Sequence, residues 1–165
     1  ASSYLVKYRG IEPELAASFA SLFYLGITFG RFLNGFIAEK AGDRRMIRIG
    51  LATAITGIIL VALPVSTNAL VLAGLIVIGL GCAPIYPSII HATPANFGRE
   101  NSQAIVGVQM ASAYCGSTFM PPLFGLIAGH TGLWIYPLFL SVFAVIILTG
   151  TEALNRMKTS RASAL

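Results

Sequence analysis

Apolar positions in this chain do not alternate with polar ones; they run. Five runs are each long enough to carry a helix through a bilayer, which takes about 20 mostly apolar residues. They cover residues 14–39, 47–65, 69–90, 102–128 and 133–150. The first is apolar from Leu15 to Gly30 and is then interrupted by Arg31 and Asn34. The second closes at Pro64 and the turn-forming residues Ser66 to Asn68. The third stops before HATPANFGRE, which has the proline, glycine and asparagine of a loop. The fourth carries Pro121 and Pro122, tolerated as a kink where neighbours satisfy the freed carbonyls. The fifth follows the short GHTG connection. Residues 1–10 are too few to span and read as the end of a preceding helix. Long unbroken runs also argue against a β-barrel, whose strands alternate over about ten residues. The pattern predicts an all-α, polytopic transmembrane helical bundle over residues 1–165.

Composition sharpens this reading. Of 165 residues, 56% are apolar and only 10% charged, against about 25% charged in an average soluble domain. Residues 49–98 and 101–151 contain no Asp, Glu, Lys or Arg at all. A soluble enzyme would need charged faces on those elements, so that class is excluded. The net charge of +5 forms no groove-binding stripe, and no nucleic acid partner is expected. Instead the bases flank apolar runs. Lys40, Arg44, Arg45, Arg48, Arg99, Arg156, Lys158 and Arg161 fall on one side of a five-span topology, with Lys7 and Arg9 on the other. The positive-inside rule makes the richer side cytoplasmic, and the C-terminus with it. Cys82 and Cys115 lie in apolar runs without metal-ligand spacing, so both read as buried thiols. The opening ASSYLVKYRG lacks the apolar core of a signal peptide.

Small residues recur at helix-contact spacing: Gly26 and Gly30, Gly107 and Ala111, Ala111 and Cys115, Gly125 and Gly129. Helices in lipid associate through close backbone approach at such residues. The densest polar feature is the segment Gly30 to Gly50. Within it stands Gly35-x-x-x-Glu39-Lys40-x-Gly42-x-Arg44-Arg45. The helix must end near Lys40, Gly42 permits the reversal, and the bases stay at the lipid surface.

This segment resembles the signature loop of the major facilitator superfamily of secondary transporters, G-x-x-x-[D/E]-[R/K]-x-G-x-[R/K]-[R/K], at every defined position. The resemblance implies a twelve-helix fold in two six-helix halves. The segments GCAPIYPSIIHATP, Gln103-x3-Gly107-Val108-Gln109 and AYCGSTFMPPLFGLIAG look most like the second half, so residues 14–150 correspond to helices eight to twelve. Residues 1–8 are then the end of helix seven. The resemblance further implies that Glu39 meets a helix N-terminus across the interface between halves, closing the cytoplasmic side. Lys40, Arg44 and Arg45 are implied as the motif bases, and Gly35 and Gly42 as the close-contact and turn glycines. The partner of Glu39 then lies in a missing N-terminal half or a second copy. Asp43 holds a variable position and is free to pair locally with a base.

Ionisable residues inside a span are functional candidates. Arg31 qualifies, as a gate or structural pairing group or by snorkelling to the interface, and Asn34 shares its face. Gln109, Tyr24, Tyr114 and Tyr86 are the candidates for lining a solute path. An amide offers donors and an acceptor, and tyrosine rings stack on sugar faces while the phenol hydrogen-bonds. His91 reads as an interfacial histidine and His130 as an exposed one. Pro84 and Pro87 remove two backbone donors within one turn and predict a hinge.

Secondary active transport of a small solute by alternating access follows as the leading expectation, with a sugar as the candidate solute and symport with a proton or sodium ion as the candidate coupling. Multidrug or metabolite efflux is the alternative within the family, and a channel or structural membrane subunit the alternative outside it. No GxxxxGK[ST] loop occurs, no cofactor or metal is expected, and no catalytic cluster supports an enzyme. The expected location is the cytoplasmic membrane of a bacterium.

Overall fold

A computed structural model describes residues 5–7, 10–63 and 68–162, without the side chains of residues 20, 39, 68, 155 and 158–162. Leu5 to Lys7 are helical; the rest of the short segment ahead of Gly10, and residues 64–67, where the sequence predicts a turn, lie outside the described residues. Six α-helices follow: α1 Pro13–Ala41, α2 Asp43–Ala62, α3 Asn68–Cys82, α4 Ile85–Phe97, α5 Arg99–Thr131 and α6 Tyr136–Ala162. A single 3-10 turn, Leu133–Ile135, leads into α6.

Local chemistry sets these boundaries. Pro13 opens α1, where a missing N–H is harmless, and Glu14 and Lys40 sit at the ends whose helix dipole favours their charges. Gly42 ends α1 and precedes α2 at φ +75°, a left-handed conformation open to glycine at little cost. Gly98 does the same at φ +86° between α4 and α5. The segment expected to be a loop after residue 90 is therefore helical as far as Phe97. Pro94 adopts helical geometry inside it, and only the positive φ at Gly98 breaks the chain.

Pro84 separates α3 from α4 yet keeps φ −78° and ψ −23°, within the right-handed helical region. The amide of Ala83 donates to Gly79 O and that of Ser88 to Pro84 O, each at 3.1 Å, so the ladder resumes on both sides. Pro84 has no N–H, and the Leu80 carbonyl loses its helical donor. Residues Ala69–Phe97 form one continuous apolar segment through this joint.

The core lies between α2 and α3, where Leu51, Val61, Val71 and Leu75 are buried. Glycines let these backbones touch. A Cβ on Gly50 would stand 2.6 Å from Gly81 O, and one on Gly57 2.7 Å from the Ile78 amide. On its other side α3 meets α1: a Cβ on Gly30 would lie 2.6 Å from that of Ala83, and Gly26 faces Ile76 O and Gly79. α3 is thus gripped from two sides. The small residues expected to pack on α5 behave differently, since Gly107, Gly125 and Gly129 meet nothing within 4 Å among the described residues.

Among the described residues, four helical segments are long and apolar enough to cross a membrane: Pro13–Ala38, Asp43–Ala62, Ala69–Phe97 and Leu133–Leu154. The molecule is an all-α polytopic bundle with these spans. The fourth of the five expected runs, now α5, is absent from that set. At 33 residues it is long enough, but Ser112, Tyr114, Ser117, Thr118 and the Pro121–Pro122 pair dilute its apolar character. None of its described residues is buried.

Candidate functional site

The segment Gly35–Arg45 spans the hand-over from α1 to α2. Gly42 N–H donates to Ala38 O and Gly42 O accepts from Met46 N, both at 3.1 Å, so a single residue stitches the two helices. Lys40, Arg44 and Arg45 are exposed around it. A Cβ on Gly35 would meet nothing within 4 Å among the described residues. The side chain of Glu39 lies outside the described residues.

Two polar bridges fasten this end of the bundle. His91 Nδ1 on α4 donates to Asp43 Oδ2 at 2.9 Å and Oδ1 at 3.1 Å, tying α4 to the first turn of α2. Arg48 Nη2 donates to Glu152 Oε2 at 2.6 Å, tying α2 to α6. Both are largely open to solvent, so they fix register more than they stabilise. Asp43, expected to pair with a nearby base, instead reaches an imidazole on another helix. Arg48, Glu152 and His91 were not singled out for pairing. The signal available was Glu152 itself, an isolated acid beyond residue 100 among the tail bases.

A cavity of about 350 Å³ opens between α2, α4, α5 and α6 at this same basic end. Asp43, Arg44 and Arg48 line one side, Thr93 and Asn96 another, with Gln109 and Thr151 closing it. Thr93 is 1% exposed, and its Oγ1 lies 3.0 Å from Ile89 O and 3.2 Å from Gln109 Oε1.

The signature loop thus sits at the junction of two apolar helices, in a bundle whose bases gather at one end. Residues 1–157 match the family profile described as Major Facilitator Superfamily. The chain belongs to this superfamily. Searches of curated proteins and of solved structures each found no match. Membrane transport is the function that membership in the major facilitator superfamily carries.

The remaining candidates of this major facilitator protein are spread over several faces. Gln109 is turned into the basic-end cavity, where its carbonyl is engaged by Thr93. Tyr24 on α1 and Tyr114 on α5 stand 67% and 73% exposed, and Tyr86 at the start of α4 is exposed too. None of the three lines that cavity. Arg31 is exposed and makes no hydrogen bond or ion pair among the described residues. Asn34 buries its Nδ2 without a hydrogen-bond partner among the described residues. It follows Gly30 by one turn, on the face that meets Leu80 and Ala83 beside the proline joint. Pro84 occupies that joint, and Pro87 falls in the first turn of α4, where a lost N–H costs least. Among the described residues no three His, Cys, Asp or Glu groups gather as a metal site.

Proposed function

We propose that the chain forms most of the C-terminal half of a secondary active transporter that moves a small hydroxylated solute, a sugar in the leading reading, by alternating access. The observation that carries this is the complete signature loop at the α1–α2 junction of a chain matched by the superfamily over residues 1–157. The glycine contacts of α1, α2 and α3 support it, because rocking of a half needs helices that move as one body. In this reading α5 is a fifth span. α1, α4 and α5 turn Tyr24, Tyr86 and Tyr114 toward the solute path, where phenol rings both stack and hydrogen-bond. Arg31 and Asn34 sit between that path and the gate. Glu39 closes the basic end by capping a helix N-terminus of the opposite half, where unpaired N–H groups favour an acid. An ion gradient, proton or sodium, supplies the energy. The basic end faces the cytoplasm of a bacterium.

Uptake into proteoliposomes holding the intact transporter tests this. Saturable uptake and counterflow of a sugar, without unitary currents, is the expected result. Glu39→Gln lowers the initial rate by about tenfold or more, the loss of one charge-assisted contact. Unitary currents, or wild-type rates in a folded Glu39→Gln protein, refute the mechanism.

A further inference from the structure

The cavity at the basic end has an unbalanced hydrogen-bonding inventory. Among its acceptors, both Asp43 oxygens face His91 and the Gln109 carbonyl accepts from Thr93, and Asn96 is engaged as well. Its hydroxyls donate elsewhere, Thr151 to Ile147 O at 2.8 Å and Thr93 to Ile89 and Gln109. Donors are what remain. The Arg44 guanidinium has no hydrogen bond or ion pair among the described residues, and the Gln109 Nε2 group has none either. Arg48 spends one terminal nitrogen on Glu152 and keeps its other N–H groups. Ile47, Ile89, Phe97 and Leu154 add apolar wall beside Asn96.

We propose that this cavity binds an oxyanion, a phosphate group carried on an apolar body, at a site separate from the solute path. Asp43, the carboxylate on this lining, is already held by His91, and a neutral polyol would leave the Arg44 guanidinium without a counter-charge among the described residues. A phosphate brings only acceptors, and a guanidinium with an adjacent amide matches them with several charge-assisted hydrogen bonds. The volume of about 350 Å³ exceeds what a free ion fills and lies within the range of small organic ligands. Two sources share this chemistry. One is the headgroup of an anionic phospholipid, which lies at the level of such a basic helix end. The other is a soluble phosphate ester entering from the aqueous side. The identity of the transported solute does not enter the inference.

Thermal unfolding of the purified intact transporter in detergent reads the binding, since a ligand specific to the folded state raises Tm in a saturable way. The probes are phosphatidylglycerol, glycerol 3-phosphate and, as a phosphate-free lipid, dioleoylglycerol. Saturable protection by phosphatidylglycerol alone assigns the lipid source, and protection by glycerol 3-phosphate the soluble one. In either case Arg44→Gln weakens the apparent affinity about tenfold, as expected for a lost charge-assisted contact. Arg45→Gln removes the same charge one position away from the lining and changes affinity by less than about twofold, like other exposed charges. Ala92→Phe fills the cavity, keeps every charge and abolishes protection. Equal losses in Arg44→Gln and Arg45→Gln overturn the proposal by exposing a diffuse charge effect. Protection by dioleoylglycerol equal to that by phosphatidylglycerol, or protection by none of the probes, overturns it as well.

Discussion

Thr93 and Gln109 meet across the α4–α5 seam, and one hydroxyl proton serves both the Ile89 carbonyl and the Gln109 amide. Replacing Thr93 by Val keeps the shape and leaves Gln109 Oε1 without its donor. Gln109 is only half-buried and can turn to water, so the expected cost is about 0.5–1.5 kcal/mol, the net worth of one hydrogen bond. Adding Gln109→Leu removes that acceptor, and the double variant is expected to lose less in denaturant unfolding than the two single losses together. Strictly additive losses would show that the pair is uncoupled. Such partnerships were the least legible feature of the sequence. Gln109 stood out there as an amide in an apolar run, which suits a solute ligand, but the run does not say which helix it faces. Asp43 and His91 are separated by 48 positions, and Arg48 and Glu152 by 104. Only the folded bundle brings those pairs together. Local residues were easier: the turn at Gly42 follows from a glycine between an apolar helix and a basic cluster, and φ +75° stands there.

Among the elements, α3 carries the tightest packing, and its glycines divide into two kinds. A Cβ on Gly81 would meet Gly50 O at 2.6 Å and Ala54 Cα at 2.8 Å, both backbone atoms that cannot swing aside. Gly81→Ala therefore pushes α2 and α3 apart and costs about 1–3 kcal/mol, the usual penalty of overpacking. Gly125 on α5 has open space where its Cβ would be. Gly125→Ala is neutral or stabilising by up to about 1 kcal/mol through helix propensity. Opposite signs in thermal unfolding are expected; equal losses would mean that α5 packs as tightly as α3. Small-residue spacing marks α1 and α5 alike in the sequence, yet only the α1 pair meets a neighbour among the described residues, because the spacing records what a helix permits and not what lies beside it. Apolar runs mapped onto helices more directly, since backbone groups in lipid must bond within their own segment. The end of the third run was misplaced for a local reason. His91–Phe97 contains loop-forming residues, yet Thr93 is buried and keeps that stretch in the helix.

For the whole molecule, the two polar bridges constrain how the chain threads the membrane. Asp43 with His91 puts the end of α4 beside the start of α2, and Arg48 with Glu152 puts the end of α6 there too. Between Phe97 and Glu152 the chain must therefore cross an even number of times. On the proposed reading, in which Leu133–Leu154 crosses once and both bridges lie at one face, α5 is predicted to cross as well, although its mean hydropathy leaves it outside the four apolar spans. Its length allows this, since 33 residues extend about 50 Å against a hydrocarbon core of about 30 Å. Its hydroxyls allow it too. Ser112 donates to Val108 O at 2.8 Å, and Ser117 and Thr118 both donate to Tyr114 O at 2.9 Å, so these three would enter the bilayer satisfied. The two ends of α5, at Arg99 and at His130, then lie on opposite faces. A transporter with Cys82→Ala and Cys115→Ser, carrying either Arg99→Cys or His130→Cys, tests this with a membrane-impermeant maleimide. Labelling at position 130 in intact cells, and at 99 only after the membrane is opened, is the expected pattern. Labelling of both from one face would refute the fifth span. Reversed labelling would keep the span and overturn the orientation, because the bases of Arg44, Arg45 and Arg99 would then face outward against the positive-inside rule.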